Sequence, residues 1–153
     1  MEIRREKFDS ETAQALAGAL EAELLATYGG VPGSGGLPAA SIFEPPAGGA
    51  FLVGRIDGDA VACGGIARYD ETTAEIRRMY VVPDARGRGL SRRVLAALED
   101  EARALGYSFV RLETGNLQTE AIGLYVCAGY GPIPRYGPFE NDPKSVCFEK
   151  RLR

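Results

Sequence analysis

Arg86-Gly87-Arg88-Gly89-Leu90-Ser91 is the stretch on which the reading of this chain turns. It follows a hydrophobic, strand-like run from Ile76 to Val82 and a turn at Pro83-Asp84, and it opens a helix-like run from Leu90 to Leu105. A strand, a glycine-rich turn and a helix N-terminus together bind phosphate. The first amides of a helix lack intrahelical acceptors and carry the positive end of its dipole. Gly87 and Gly89 remove the side chains that would hold a ligand away from those amides. Arg86, Arg88, Arg92 and Arg93 crowd the same end, where positive charge is unfavourable on its own and a bound anion would reverse the cost. A dinucleotide-binding fingerprint would need a third glycine where Arg92 stands, and a Walker loop would need Gly-Lys-Ser/Thr, which is absent. Spacing alone leaves open a solvated Arg- and Gly-rich surface turn.

Outward from this turn, the pattern alternates strands and helices. Asp9 or Ser10 caps a first helix to about Thr27, with Ala13, Leu16, Leu20 and Leu24 on one face. Gly29 to Gly49 is Gly/Pro-rich, with too little periodicity for an element of its own. Ala50 to Ile56 and Ala60 to Ala67 read as a hairpin turning at Asp57-Gly58, and Gly64-Gly65 inside the second strand predicts a bulge or a close backbone approach. Glu75 to Val82 is the next strand. Leu90, Val94, Leu98 and Leu105 form the stripe of the helix that Gly106 stops. Phe109 to Thr114 is a strand with Val110 and Leu112 facing one way and Arg111 and Glu113 the other. A short helix, about Gln118 to Ala128, ends at Gly129, and two strands flank the Pro-rich loop Gly131 to Pro143. The expected architecture is an α/β (α+β) three-layer fold with a mixed sheet and helices on both faces, as one domain over residues 1–153.

Composition narrows the function. The 153 residues include no histidine and three widely spaced cysteines, so Ser-His-Asp and Cys-His chemistry is excluded, and neither a zinc site nor a disulfide framework is expected. A net charge of −3 argues against a general nucleic-acid surface. The chain carries no run of roughly 18 apolar residues and no apolar stretch behind Met1-Glu2-Ile3-Arg4-Arg5-Glu6, so a cytoplasmic protein without a membrane span is expected.

Arg86-x-x-Gly89-x-Ser91 resembles the Gln/Arg-x-x-Gly-x-Gly/Ala signature of the GNAT superfamily of acyl-CoA-dependent N-acyltransferases. Glu120-Ala121-Ile122-Gly123-Leu124-Tyr125-Val126-Cys127-Ala128-Gly129-Tyr130 is similar to that family's second hallmark, Ala-Ile-x-Leu-Tyr-x-x-x-Gly-Phe/Tyr. The resemblance runs from Glu75 to Tyr130, and Pro143 to Lys150 looks like the closing strand of a bacterial subgroup. Ser91 stands where the signature has Gly or Ala, and Gln118 where many members have Asn.

The resemblance implies a mostly antiparallel central sheet in which the strand before the glycine turn and the strand ending at Glu113 start paired and then splay to admit pantetheine. It implies acetyl-CoA as co-substrate, with no metal, and a primary amine as acceptor. Met79, Tyr80 and Val81 would offer backbone groups to pantetheine, Arg86, Gly87, Arg88, Gly89, Leu90 and Ser91 would hold the pyrophosphate, and Gln118 would sit near the coenzyme. Tyr125 matches the tyrosine that protonates the leaving thiolate in many members. A phenol of pKa ~10 can pass its proton to a thiolate whose acid has pKa ~8.5 once charge develops. Glu75 and Glu113, at the ends of the two strands, are the candidate bases. Tyr28, Phe43, Tyr136 and Phe139, in the loops Tyr28 to Pro46 and Pro132 to Pro143, are the candidate acceptor-binding aromatics. The competing reading is a sensor that binds acyl-CoA without turnover. The acceptor's identity and a homodimeric state stay open.

Overall fold

The computed structural model describes residues 1–29 and 38–153. Seven strands form one sheet: β1 (Glu2–Arg5), β2 (Ala50–Ile56), β3 (Asp59–Arg68), β4 (Thr73–Val81), β5 (Phe109–Gly115), β6 (Gly131–Ile133) and β7 (Ser145–Arg151), in the order β1-β2-β3-β4-β5-β7-β6. Every neighbouring pair is antiparallel except β4 and β5, which are parallel. Three α-helices occur among the described residues: α1 (Glu11–Tyr28), α2 (Leu90–Ala104) and α3 (Thr119–Cys127). The mixed, mostly antiparallel sheet and the helices on both faces agree with the sequence reading. None of these helices is long and apolar enough to cross a membrane.

The period-2 alternation of β3 separates two cores. Ala62 and Ile66 point to the face covered by α2 and α3, together with Val94, Leu95, Leu98 and Tyr125. Cys63 and Ala67 point to the α1 face, together with Phe8, Leu16, Phe43 and Phe51. Both glycines in β3 serve close approach. A Cβ at Gly64 would lie 2.9 Å from Leu98 and 3.0 Å from Met79, and one at Gly65 would lie 2.6 Å from the Phe43 ring. The register between β3 and β4 shifts at this point, as the Gly64-Gly65 pair predicts.

Three readings change. β1 has no counterpart in the sequence reading: as an edge strand it exposes both arginines and buries no residue fully, so it leaves no hydrophobic alternation. The stretch after α1 contains two 3₁₀ turns, Ala40–Phe43 and Pro45–Ala47, while its residues 30–37, including part of the expected acceptor loop, lie outside the described residues. Phe43 is a core residue rather than a cleft aromatic. It is 3% exposed and packs against Phe8 and Phe51 with ring centroids 4.8 and 5.4 Å away. The 3₁₀ turn tucks its ring over Gly65, so burial of a large apolar surface decides its place.

Candidate active site

The parallel ladder between β4 and β5 is short. It runs from Thr73↔Phe109 to Ile76↔Leu112 and stops. Two residues later, Arg78 takes the left-handed backbone conformation, φ 60°, at the irregularity opposite Gly64-Gly65. A non-glycine residue there is strained and needs outside support. Glu21 of α1 supplies it with an ion pair to the Arg78 guanidinium at 3.1 Å, and Cys63 Sγ donates to the Arg78 carbonyl at 3.3 Å. Beyond this point β4 and β5 are unpaired, and the gap between them opens into two cavities.

The larger, ≈ 460 Å³, lies along the glycine turn, with Met79, Tyr80, Val81, Gly87, Gly89 and Ser91 in its wall. Gly87 and Gly89 are both left-handed, φ 80° and 73°, and a Cβ on either would meet nothing within 4 Å. Gly89 is the N-cap of α2 and brings no side-chain cap, so the first-turn amides face the cavity without a side-chain acceptor at the cap. Arg86 differs from the expected phosphate clamp. Its Nε donates to the Val81 carbonyl at 2.9 Å and its Nη2 to Glu23 of α1 at 2.7 Å, with Tyr80 donating to the same carboxylate at 2.8 Å. These bonds hold Glu23 below the ordinary glutamate range despite its partial burial. Arg93 turns away to the Met1 carbonyl, 2.8 Å, whereas among the described residues Arg88 and Arg92 form no ion pair.

The smaller cavity, ≈ 180 Å³, is lined by Glu75, Glu113, Tyr28, Phe139, Gln118 and Tyr125, among others. Of the four candidate acceptor aromatics it brings together Tyr28 and Phe139 directly. Tyr136 reaches it by donating to Glu75 at 2.7 Å, and Phe43 does not reach it. The Tyr28 ring lies where a Cβ on Gly115 would be, and its hydroxyl accepts from the Leu117 amide at 3.0 Å, which ties the end of α1 to the end of β5. Arg111 sits between the rings of Tyr69 and Tyr136, 4.3 and 4.7 Å from their centres, and pairs with Glu149 at 2.6 Å. Its charge is thereby committed outside the cavity.

Glu113 has the most altered carboxyl in the cavity. Burial raises its pKa to about 7, with the negative charges of Asp142 and Glu75 adding to the effect and a 2.6 Å hydrogen bond from Ser145 opposing it. The two cavities share Leu20, Met79, Gln118, Ala121 and Tyr125. Tyr125 is buried, with its hydroxyl 3.7 Å from Met79 Sδ, and burial pushes its pKa well above the usual phenol value, with the Glu113 charge adding to the shift. It is therefore a protonated donor at neutral pH. Sequence reasoning missed Leu20 and Leu24 as cavity walls, because their helical stripe reads equally well as ordinary core.

If Phe139 lines a ligand cavity and Phe43 is core, alanine substitutions should separate them. Phe43→Ala is expected to cost about 3–5 kcal/mol of stability and to lower the melting temperature sharply. Phe139→Ala is expected to leave the melt nearly unchanged and to raise the acceptor KM. Equal melting losses for the two variants would count against this division.

The fold that carries these cavities is a known one. The model of the Acetyltransferase (GNAT) family matches residues 19–130. An IAA acetyltransferase of Azospirillum brasilense is 46% identical over 103 residues, spanning 67% of this chain and 67% of its own. A Klebsiella pneumoniae structure, described provisionally as an acyl-CoA N-acyltransferase, superimposes with a TM-score of 0.83 at 34% identity, covering 99% of this chain and 97% of its own. A GNAT family acetyltransferase from Elizabethkingia anophelis, solved with acetyl-CoA bound, shares the fold with a TM-score of 0.70 at 16% identity, covering 99% and 97% of the two chains. With the family model spanning both signature motifs and both of the strands β4 and β5 that part at the cavities, the chain belongs to the GNAT acetyltransferase family.

Proposed function

We propose that the protein is an N-acetyltransferase that moves an acetyl group from acetyl-CoA to a primary amine by direct attack. The observation that carries this reading is the meeting of the two cavities at Met79 and Tyr125, one beside an open glycine turn and helix N-terminus, the other holding two carboxylates. The amides of Gly87 to Ser91 bind the pyrophosphate, and pantetheine runs along Met79, Tyr80 and Val81 as an added strand. The Val81 carbonyl already accepts from Arg86, so a pantetheine amide would share that oxygen's second lone pair or displace the arginine. The thioester lies at the junction beside Gln118. The amine enters the smaller cavity as a cation near Glu75 and gives a proton to Glu113, and the neutral amine attacks the thioester carbonyl. The tetrahedral intermediate then collapses, the C–S bond breaks, the thiolate takes the Tyr125 proton, the phenolate takes the second proton of the acylated nitrogen, and Glu113 releases the first to solvent.

A base with a pKa near the working pH is the efficient choice, so activity should rise with pH through about 7. Glu113→Gln is expected to lower kcat/KM about 10²-fold or more and to abolish that limb of the pH profile. The same group has a stability signature. Its folded pKa lies above the unfolded value of 4.5, so its contribution is full below that value and is lost as pH rises through about 7. At pH 8 Glu113→Gln should therefore melt above wild type, by at most about 3 kcal/mol, with the advantage gone near pH 4. An unchanged pH profile in the variant would take the base role from Glu113.

The reading as a whole is tested by free-thiol release from acetyl-CoA with a panel of primary amines and with IAA, after which the Azospirillum relative is named, with the product identified by mass. Turnover with an amine supports it. Thermal stabilisation by acetyl-CoA with no turnover would replace it with a sensor that binds acyl-CoA.

A further inference from the structure

Behind Tyr125 lies a buried polar network that the proposed reaction does not use. Glu99 of α2 is 6% exposed, and a carboxylate at that depth is costly unless fully paired. Lys150 of β7 places Nζ 3.0 and 3.1 Å from its two oxygens, and the Tyr130 hydroxyl donates to Oε2 at 2.8 Å. Tyr130 is itself 4% exposed, and the Lys150 ammonium lies 5.6 Å from its ring centre. The ring packs edge-on against Tyr125, with centroids 5.8 Å apart and planes at 63°. Its amide donates to the Tyr125 carbonyl at 3.0 Å. Tyr130 is thus fixed at its hydroxyl by α2 and β7, at its backbone by the last turn of α3, and along its ring by Tyr125.

An apolar trio of the same volume would fill this space without desolvating an ion pair. What it would lack is direction. An aliphatic side chain does not define the tilt of a neighbouring phenol about its Cα–Cβ bond, whereas a ring held at both ends does. The helix that supplies Glu99 is also the one whose N-terminus opens on the larger cavity. The network therefore refers the Tyr125 ring to the same rigid element that faces the coenzyme.

We propose that Tyr130, clamped by Glu99 and Lys150, is a positioning residue that holds the Tyr125 hydroxyl at the junction of the two cavities. This rests on the reading of Tyr125 as the proton donor. An enzyme whose donor rotates away in a fraction of turnovers loses kcat while its ligands still bind.

The experiment combines thiol-release kinetics, using acetyl-CoA and the best amine of the panel, with NMR of protein carrying ¹³C-labelled tyrosine rings. Tyr130→Phe and Tyr130→Leu are made alone and in the Tyr125→Phe background. Tyr130→Phe is expected to lower kcat roughly 10-fold with the coenzyme KM within about twofold, and Tyr130→Leu to lower it further. In the Tyr125→Phe background the Tyr130 effect should shrink below about twofold, because the hydroxyl it positions is gone. The Tyr125 Cζ resonance should shift and broaden in Tyr130→Leu as the ring samples a second χ1 position. The paired substitution Glu99→Gln with Lys150→Gln keeps an acceptor for the Tyr130 hydroxyl and should retain most of kcat. A loss of the same factor in both backgrounds would make Tyr130 a general structural residue and overturn the proposal, as would an unchanged kcat in both Tyr130 variants. If Tyr125→Phe costs nothing, or no amine is turned over, the donor reading falls and the clamp with it. A large Tyr125→Phe loss with silent Tyr130 variants removes the clamp alone.

Discussion

Tyr125→Phe is expected to lower kcat and kcat/KM together by about 10²–10⁴-fold while leaving acetyl-CoA affinity nearly unchanged. The substitution removes one oxygen and keeps the ring, so its packing against Tyr130 and its place in the core survive. Among the described residues the hydroxyl's one hydrogen-bond contact is Met79 Sδ at 3.7 Å, a weak partner, so little stability is lost with it. On the proposed mechanism its value would lie in the transition state, when the sulfur takes on charge and the buried phenol is the nearby donor. Burial, by raising the phenol pKa, keeps the hydroxyl protonated and makes it a weaker acid, so it would act chiefly by hydrogen bonding to the sulfur, giving up its proton only as it regains one from the amine nitrogen. Single-turnover rates and calorimetry of acetyl-CoA binding check both halves of this statement. A variant as active as wild type would remove Tyr125 from the mechanism.

Gly89→Val is expected to abolish measurable acetyl-CoA binding. At φ 73° a β-branched residue is strained, and its methyls would project into the open space where the pyrophosphate is proposed to lie. Strain alone should cost on the order of 1–3 kcal/mol, so the variant needs a matched control. Gly58 provides it. It is also left-handed, φ 85°, with open space at its Cβ, but it lies in the β2–β3 hairpin away from both cavities. Gly58→Val should lower the melting temperature by a similar amount and bind acetyl-CoA normally. If Gly89→Val also binds normally by calorimetry, the pyrophosphate site is elsewhere.

The parts legible in the sequence were those whose local chemistry and fold agree. The glycine turn, the Asp57-Gly58 hairpin and the close approach at Gly64-Gly65 each need backbone freedom that only certain residues supply, so composition betrays them. The place of Tyr125 on a short helix was legible because its motif fixes it there. β1 was not, because an exposed edge strand selects charge over alternation. Phe43 was misplaced because a Gly/Pro-rich context hides the 3₁₀ turn that buries it. Arg86 was read as a phosphate ligand, and nothing in its own neighbourhood reveals Glu23, 63 residues earlier, as its partner. The raised pKa of Glu113 is likewise a property of the assembled cavity. It comes from burial and from Asp142 and Glu75, which the chain brings near only through the sheet.

The short parallel ladder between β4 and β5 has a consequence for how the molecule assembles. β1 to β4 includes two successive antiparallel pairings close in sequence, and β5 pairs with β7 across a connection that contains α3. The four residue pairs from Thr73↔Phe109 to Ile76↔Leu112 close only after the chain has crossed through α2. Loop-closure entropy makes this contact and the comparably distant β5–β7 pairing later than the β2–β3 and β3–β4 hairpins. The region around Tyr125 and Glu113 is then among the last parts of the protein to take shape. A ligand that bridges β4 and β5 there would act on folding as a staple, drawing the half-assembled chain toward its native state by mass action.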